Sequence, residues 1–391
     1  MIDYSLSLYM KERLKHVSTG FQRYLYPLVN WNAQMIGITG PRGIGKSTMV
    51  LQYLLNNNKA DEMLYVSADH IYFSSHNLVE TAEAFIKEGG QWLCIDEVHK
   101  YEGWSRELKQ IYDMYPQLRI VFTGSSVLDI KKGEADLSRR ALMYNMQGLS
   151  FREYLELFHD INNRTYSLDE IIAGKVEVAG IEHPIPYFRQ YLKEGYYPFS
   201  IEGDFNSRII QVVSQTVETD IPQYANMKAA TARKLKQLLA LISESAPYKP
   251  NLDNLANEIN VSRNNISDYL TWLERAGMIG QLRDDTSGFR GLGKVEKVYI
   301  DNPSLMSALA SKEANIGNLR ETFFYNQMRL EYHLTASKVS DFRIDDKTFE
   351  IGGHNKSQRQ IAGVKNGYVV KDDIEIPIGN IIPLYHFGFT Y

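Results

Sequence analysis

The segment Gly40-Pro41-Arg42-Gly43-Ile44-Gly45-Lys46-Ser47 sets a glycine, four residues, then Gly-Lys-Ser. Glycines let the main chain bend until successive N–H groups point inward at one anion, and a helix opening at the lysine would add its positive end. In such a loop Lys46 bridges the β- and γ-phosphates of a nucleotide and Ser47 ligates Mg²⁺. The backbone of Gly40, Pro41, Arg42, Gly43, Ile44, Gly45 and Thr48 then lines the phosphate tail. A Gly-rich turn with no ligand is the bland alternative. The apolar run before the loop and the helical run after it favour phosphate binding.

A phosphate-bound Mg²⁺ needs a carboxylate from a strand end across the sheet. Trp92-Leu93-Cys94-Ile95-Asp96-Glu97 supplies it. Asp96 is expected to hold the metal through water, and Glu97 to orient or deprotonate the attacking water. The alternative is an apolar strand that merely ends in acidic loop residues. Phe122-Thr123-Gly124-Ser125-Ser126 brings small hydroxyls to the same edge. Thr123 is the preferred contact for the γ-phosphate or lytic water, against an ordinary turn. In Asp136-Leu137-Ser138-Arg139-Arg140, either Arg139 or Arg140 could stabilise charge on a cleaving phosphate, in cis or from a neighbouring subunit. A surface ion pair with Glu134 or Asp136 is the other reading. His99 reads as a solvent-facing loop histidine or as a nucleotide contact.

These groups need strand-helix-strand units to position them. Met35–Thr39, Leu64–Ser67, Trp92–Ile95 and Ile120–Thr123 are apolar and read as four strands of a mainly parallel sheet. Thr48–Leu55 and Trp104–Tyr115 read as helices between them, the second stopping before Pro116. The expected fold class is α/β. A P-loop three-layer sandwich would span 1–150, a helical segment 151–248, a winged helix 249–303, and a restriction-endonuclease-like α/β domain 304–391.

The winged-helix expectation rests on helix, turn and helix over Leu252–Ala276, with Ser262 as cap. Ile266, Leu270 and Leu273 share one face, leaving Arg263, Asn264, Ser267 and Thr271 outward. Strands around Ile279–Arg283 and Val295–Ile300 would form the wing, with Arg290, Lys294 and Lys297 adding positive charge. Over Lys228–Val298 there are 11 basic and 8 acidic residues, a modest balance for a DNA reader, and Asp268 and Glu274 oppose it. Double-stranded DNA binding and a packing or regulatory role both stay open.

In the last domain, Asp341-Phe342-Arg343-Ile344 and Lys347-Thr348-Phe349-Glu350-Ile351 form a hairpin carrying acids, preceded by Glu321 on a helix. Nuclease cores of this type hold Mg²⁺ on an Asp and a Glu and place a Lys two positions after the Glu. Here that position is Gly352, although Lys356 could reach back. A degenerate domain used for contacts is the alternative.

Composition narrows the classes further. At 391 residues, 44% hydrophobic and 23% charged, the chain is too long for one ordinary core. A formal net charge of -4 exerts no global pull toward nucleic acid. One cysteine excludes an intrachain disulfide, and nine histidines without ligand spacing leave no zinc signature. Neither a membrane span nor a secretory signal is legible, so a cytoplasmic location is expected.

Taken together, these residues resemble the bacterial and archaeal AAA-type ATPases that pair an AAA_14 domain with a DUF4143 domain. The supports are Gly40 to Ser47, Cys94 to Lys100, Trp104 with Leu108-Lys109, Phe122 to Ser126, Asp136 to Arg140, and Gly148-Leu149-Ser150-Phe151-Arg152-Glu153-Tyr154. The resemblance implies ATP with Mg²⁺ and hydrolysis that drives conformational change. ATP rather than GTP follows from it. An ATP-gated DNA-binding switch with little turnover and an ATP-regulated nuclease are the alternatives, and a protein client and oligomerisation are open.

Overall fold

The computed structural model describes residues 2–57, 62–124, 137, 139–225, 227–285, 293–310, 313–357 and 359–391. Ser125, Ser126, Glu134, Asp136, Ser138 and Arg290 lie outside the described residues. The chain divides into two units, Met1–Gln147 and Gly148–Tyr391.

In the first unit a helix α1 (Tyr4–Lys15) precedes five strands: β1 (Met35–Thr39), β2 (Met63–Ser67), β3 (Trp92–Asp96), β4 (Arg119–Gly124) and β5 (Leu142–Asn145). All pair in parallel, in the order β2-β3-β4-β1-β5. The first three are buried along their whole length, as a parallel sheet covered on both faces requires. Alternate residues divide between the faces. Leu64, Val66, Leu93, Ile95, Ile120 and Phe122 share a core with α3 (Leu78–Lys87) and α4 (Trp104–Met114). The helix α2 (Lys46–Asn56) follows β1 and buries Met49, Val50, Leu51, Tyr53 and Leu54.

The four strands expected from sequence are present, and β5 is a fifth. It is four residues long at the sheet edge, with exposed ends and half-buried centre, so it lacks the buried apolar run that marks the others. Because every strand runs the same way, the segments after β1, β3 and β4 leave one edge of the sheet, and β4 lies between β1 and β3.

The second unit opens with α5 (Phe151–His159), whose N-terminus is a capping box of Ser150 and Glu153. Ser150 Oγ and Arg152 Nε also donate to the Tyr391 carbonyl oxygen, at 2.7 and 3.0 Å. The Ser-Phe-Arg-Glu segment thus ties the beginning of this unit to Tyr391. One aromatic-rich core joins Phe151, Tyr154, Phe188 and Tyr191 to Phe323, Phe349, Phe387 and Phe389. Residues of the helical segment therefore share their core with the last stretch of the chain.

Further along, α6 (Ala229–Ser245) is followed by α7 (Leu252–Glu258), capped by Asn251, and α8 (Arg263–Arg275), capped by Ser262. Strands β6 (Ile279–Arg283) and β7 (Val295–Ile300) pair antiparallel after them. Ile266, Leu270 and Leu273 are buried and Arg263, Asn264 and Ser267 exposed, as expected; Thr271 is half-buried. A second sheet follows α9 (Ile316–Met328). Its strands β8 (Leu334–Ala336), β9 (Phe342–Ile344), β10 (Lys347–Gly352), β11 (Gly367–Lys371) and β12 (Ile381–Pro383) lie in sequence order, antiparallel from β8 to β10 and parallel from β10 to β12.

Candidate phosphate and metal site

The loop between β1 and α2 is shaped by glycine where no other residue would serve. A Cβ on Gly40 would lie 2.2 Å from the Met146 carbonyl oxygen, and Gly45, the N-cap of α2, has φ +93°. Lys46 is buried, and its ammonium donates to the carbonyl oxygens of Gly40 and Pro41 at 2.8 and 2.6 Å. Burial pulls that ammonium down to about 7, against the opposing pull of Asp96 and Glu97. Arg23 supports the loop from outside the motif. It is buried, donates through Nη1 to the Ile44 carbonyl and through Nη2 to that of Gln147 at 2.7 Å.

Asp96 ends β3 with its carboxylate ringed by hydroxyls. Ser47 Oγ donates to Oδ1 at 3.0 Å, Tyr65 Oη donates to Oδ2 at 2.6 Å, and Thr123 Oγ1 donates to Oδ1. Thr123 also accepts from the Glu97 amide at 3.2 Å, so this hydroxyl fixes both acidic residues. It is buried on Asp96 and Glu97, the placement the sheet order dictates for a residue between β1 and β3. Glu97 takes a left-handed backbone, φ 50° and ψ 43°, uncommon outside glycine and concentrated at functional sites. Its Oε1 lies 3.6 Å from Arg42 Nη1.

A hydroxyl and a carboxylate 3.0 Å apart, beside a buried ammonium, form a hard-oxygen donor pair of the kind Mg²⁺ takes alongside phosphate oxygens. The residues present therefore fit the ion. Gly43 and Thr48 are exposed beside it, while Pro41 and Ile44 are buried and shape the loop.

His99 is not solvent-facing: it is 5% exposed, and burial first, then Lys100, Arg42 and Lys46, pulls it down to about 3. The packing of the turn after Glu97, invisible in composition, puts it inside. Arg140 donates to Asp113 from Nε at 2.9 Å and Nη2 at 3.0 Å, and Arg139 is exposed. Both precede β5, whose Leu142 aligns with Ile36 near the start of β1. They sit at the sheet edge opposite the loop, separated from it by the length of β1, five residues or roughly 16 Å.

The acidic residues of the second unit also converge, but onto lysines. Lys297 Nζ lies 2.9 Å from Glu321 Oε2 and 3.1 Å from Asp341 Oδ1, and Lys356 pairs with Glu350. Ser340 Oγ donates to Glu350 at 2.5 Å, and Asp341 accepts from the Ile351 amide at 2.9 Å. A Cβ on Gly352 would meet Lys356 Cγ at 2.5 Å, so the stem of Lys356 covers the position where such cores carry their lysine. Lys297 is therefore drawn inward rather than adding free charge to a wing. Arg263 pairs with Asp253, and Lys249 with Glu296. No group of three or more His, Cys, Asp or Glu among the described residues could hold a metal.

Residues 32–155 match the family model described as an AAA domain, and residues 185–316 match a domain of unknown function, DUF8612, where the resemblance pointed to DUF4143. The chain is 25% identical over 409 residues to an uncharacterized protein of Methanocaldococcus jannaschii, covering 92% of this chain and 85% of that one. It is also similar to the Walker-type ATPase of Pyrococcus abyssi, at 12% identity, TM-score 0.43, 79% of this chain and 96% of that one. AMPPCP-bound DnaA from Aquifex aeolicus aligns at 16% identity, TM-score 0.25, 70% of this chain and 89% of that one. The two structural likenesses carry no functional weight.

Proposed function

We propose that this chain is a Mg²⁺-dependent ATPase of the AAA type that uses hydrolysis to drive conformational change. The observation that carries the reading is the Ser47 hydroxyl 3.0 Å from Asp96, with Glu97 next in the chain and Lys46 buried in the loop. The match of residues 32–155 to an AAA domain supports it. Ser47 and Asp96 would hold Mg²⁺, whose chemistry is to neutralise charge on the transferring phosphoryl group. The Lys46 ammonium exchanges the carbonyls of Gly40 and Pro41 for phosphate oxygens. Glu97 takes the proton of the attacking water at its carboxylate, which Arg42 must first release. Arg139 or Arg140 would act on the nucleotide of a second copy.

The winged-helix and nuclease-like readings of the second unit belong to the same proposal. The exposed Asn264 and Ser267 of α8 suit duplex DNA, but the pairing of Arg263, Lys249 and Lys297 with carboxylates favours a contact or regulatory module for a protein client. The ammonium-filled acidic cluster favours a nuclease-like domain without activity. Among the described residues no helix is long and apolar enough to cross a membrane.

The test is phosphate release from MgATP by the purified chain, with calorimetry of MgATP binding. Turnover that Glu97→Gln removes while binding persists supports hydrolysis. Absence of both heat and phosphate release overturns it, and binding with release insensitive to Glu97→Gln favours a switch.

A further inference from the structure

The nucleotide motifs account for Ser47, Asp96, Glu97 and Thr123, but not for the group on the far side of the metal-holding carboxylate. Tyr65 lies on β2, the strand next to β3, and is fully buried. The register Tyr65↔Cys94 and Ser67↔Asp96 puts Tyr65 and Asp96 on the same face, offset by two residues along the strand direction, within reach of a phenol. The contact is made at 2.6 Å, short for a hydroxyl donating to an oxygen and typical of a charge-assisted bond.

The phenol is itself held. Its ring stacks against Tyr9 of α1 with centroids 6.2 Å apart and planes 10° apart, and Tyr9 meets His70 edge-on at 5.3 Å. Leu6 and Met10 of α1 are buried.

We infer that Tyr65 is a positioning residue for the metal: its hydroxyl ties down Asp96 Oδ2, so that Oδ1, shared by Ser47 and Thr123, is presented to the ion in one orientation. Helix α1, through Tyr9, braces that phenol from the edge of the sheet. The inference rests on the ATPase reading, since it assigns a role toward the Mg²⁺ that Ser47 and Asp96 would hold. A carboxylate with one oxygen fastened loses less freedom on meeting a metal than one free to rotate. Outer partners of this kind are worth roughly 10-fold or more in metal affinity.

The experiment is calorimetric titration of ADP into the full chain, with Mg²⁺ and with EDTA, for wild type and Tyr65→Phe. Phenylalanine keeps the ring against Tyr9 and removes only the donor. The expected result is an unchanged Mg²⁺-free ADP affinity and a Mg²⁺ enhancement that shrinks roughly 10-fold. In an Asp96→Asn background, Tyr65→Phe should then add nothing. Equal Mg²⁺ enhancement in wild type and Tyr65→Phe overturns the role of Tyr65 and leaves the ATPase reading intact. An equal loss of affinity with and without Mg²⁺ overturns it as well, because it reports damage to the loop. No ADP heat in wild type under either condition overturns the ATPase reading and this inference with it. If Tyr65→Phe fails to fold, 3-fluorotyrosine at position 65 serves instead. A ¹⁹F shift when Mg²⁺ is added to the ADP-loaded chain supports the contact, and an unmoved resonance rejects it.

Discussion

Two carboxylate clusters, one in each unit, are built from the same residue types and differ in what faces the acids. Among the described residues the Asp96 carboxylate accepts hydrogen bonds from the hydroxyls of Ser47, Tyr65 and Thr123, while Lys46 rests on main-chain carbonyls. Glu321, Asp341 and Glu350 meet ammonium groups directly, from Lys297 and Lys356. A hydroxyl donates a bond without bringing a cation, so it leaves room for one to bind the carboxylate. An ammonium cancels the charge and occupies the space. The contrast teaches that acids, lysines and a sheet edge do not make a metal site; the position of the ammonium decides.

The comparison breaks most visibly at Lys46. Lys46→Ala should abolish MgATP binding in calorimetry and, with it, phosphate release, because the buried cation facing the phosphates is gone. Retained tight binding would mean that the loop's amides suffice and that the lysine is as structural as Lys297. Glu97→Gln comes next. Binding should persist while turnover falls about 100-fold or more, the range expected for loss of a general base.

How much of this was legible depends on whether the signal was local. The phosphate loop and the Asp96-Glu97 pair could be read because residue type, spacing and flanking strand all fall within one short run. Arg23 and Tyr65 carry no such signal: the first acts from 21 residues before Ile44 and the second from 31 before Asp96. A register-aware reading of the β2 and β3 runs could have paired Tyr65 with the Asp96 strand. The same distance problem hid the fate of Lys297, whose partners Glu321 and Asp341 lie 24 and 44 residues away. Its place in a predicted wing suggested solvent, and tertiary pairing won. The strand β5 escaped because an exposed edge lacks the hydrophobic run on which strand reading relies. In the second unit, the helices and hairpin were legible from periodicity and caps, whereas the core joining Phe151 to Phe389 was not, since nothing local encodes it.

Lys297→Met sharpens the comparison from the other side. It should leave MgATP turnover unchanged in mechanism but destabilise the second unit by about 2 kcal/mol in denaturant unfolding, because two mostly buried carboxylates lose their shared cation. Burial, then Asp341, already holds the Glu321 carboxyl above its ordinary range, with Lys297 pulling it back down. Removing that ammonium should raise it further. The lost stability should then be largest near neutral pH, where Glu321 would be charged, and shrink as acid protonates it.

The smallest effect is expected at Lys356. Glu350 is nearly fully buried and would lose an ion pair in Lys356→Met, but Ser340 still donates to it at 2.5 Å, so the cost should be about 1 kcal/mol. Pairing Lys356→Met with Glu350→Gln should recover most of that loss, since the uncompensated charge disappears with the carboxylate. Plasmid DNA with Mg²⁺ should remain uncut by the wild type, by Lys356→Met and by the double variant. A different outcome would dissolve the contrast between the clusters: if Lys356→Met were stabilised by added Mg²⁺ or gained DNA cleavage, the lysine would be standing on a metal position rather than replacing it.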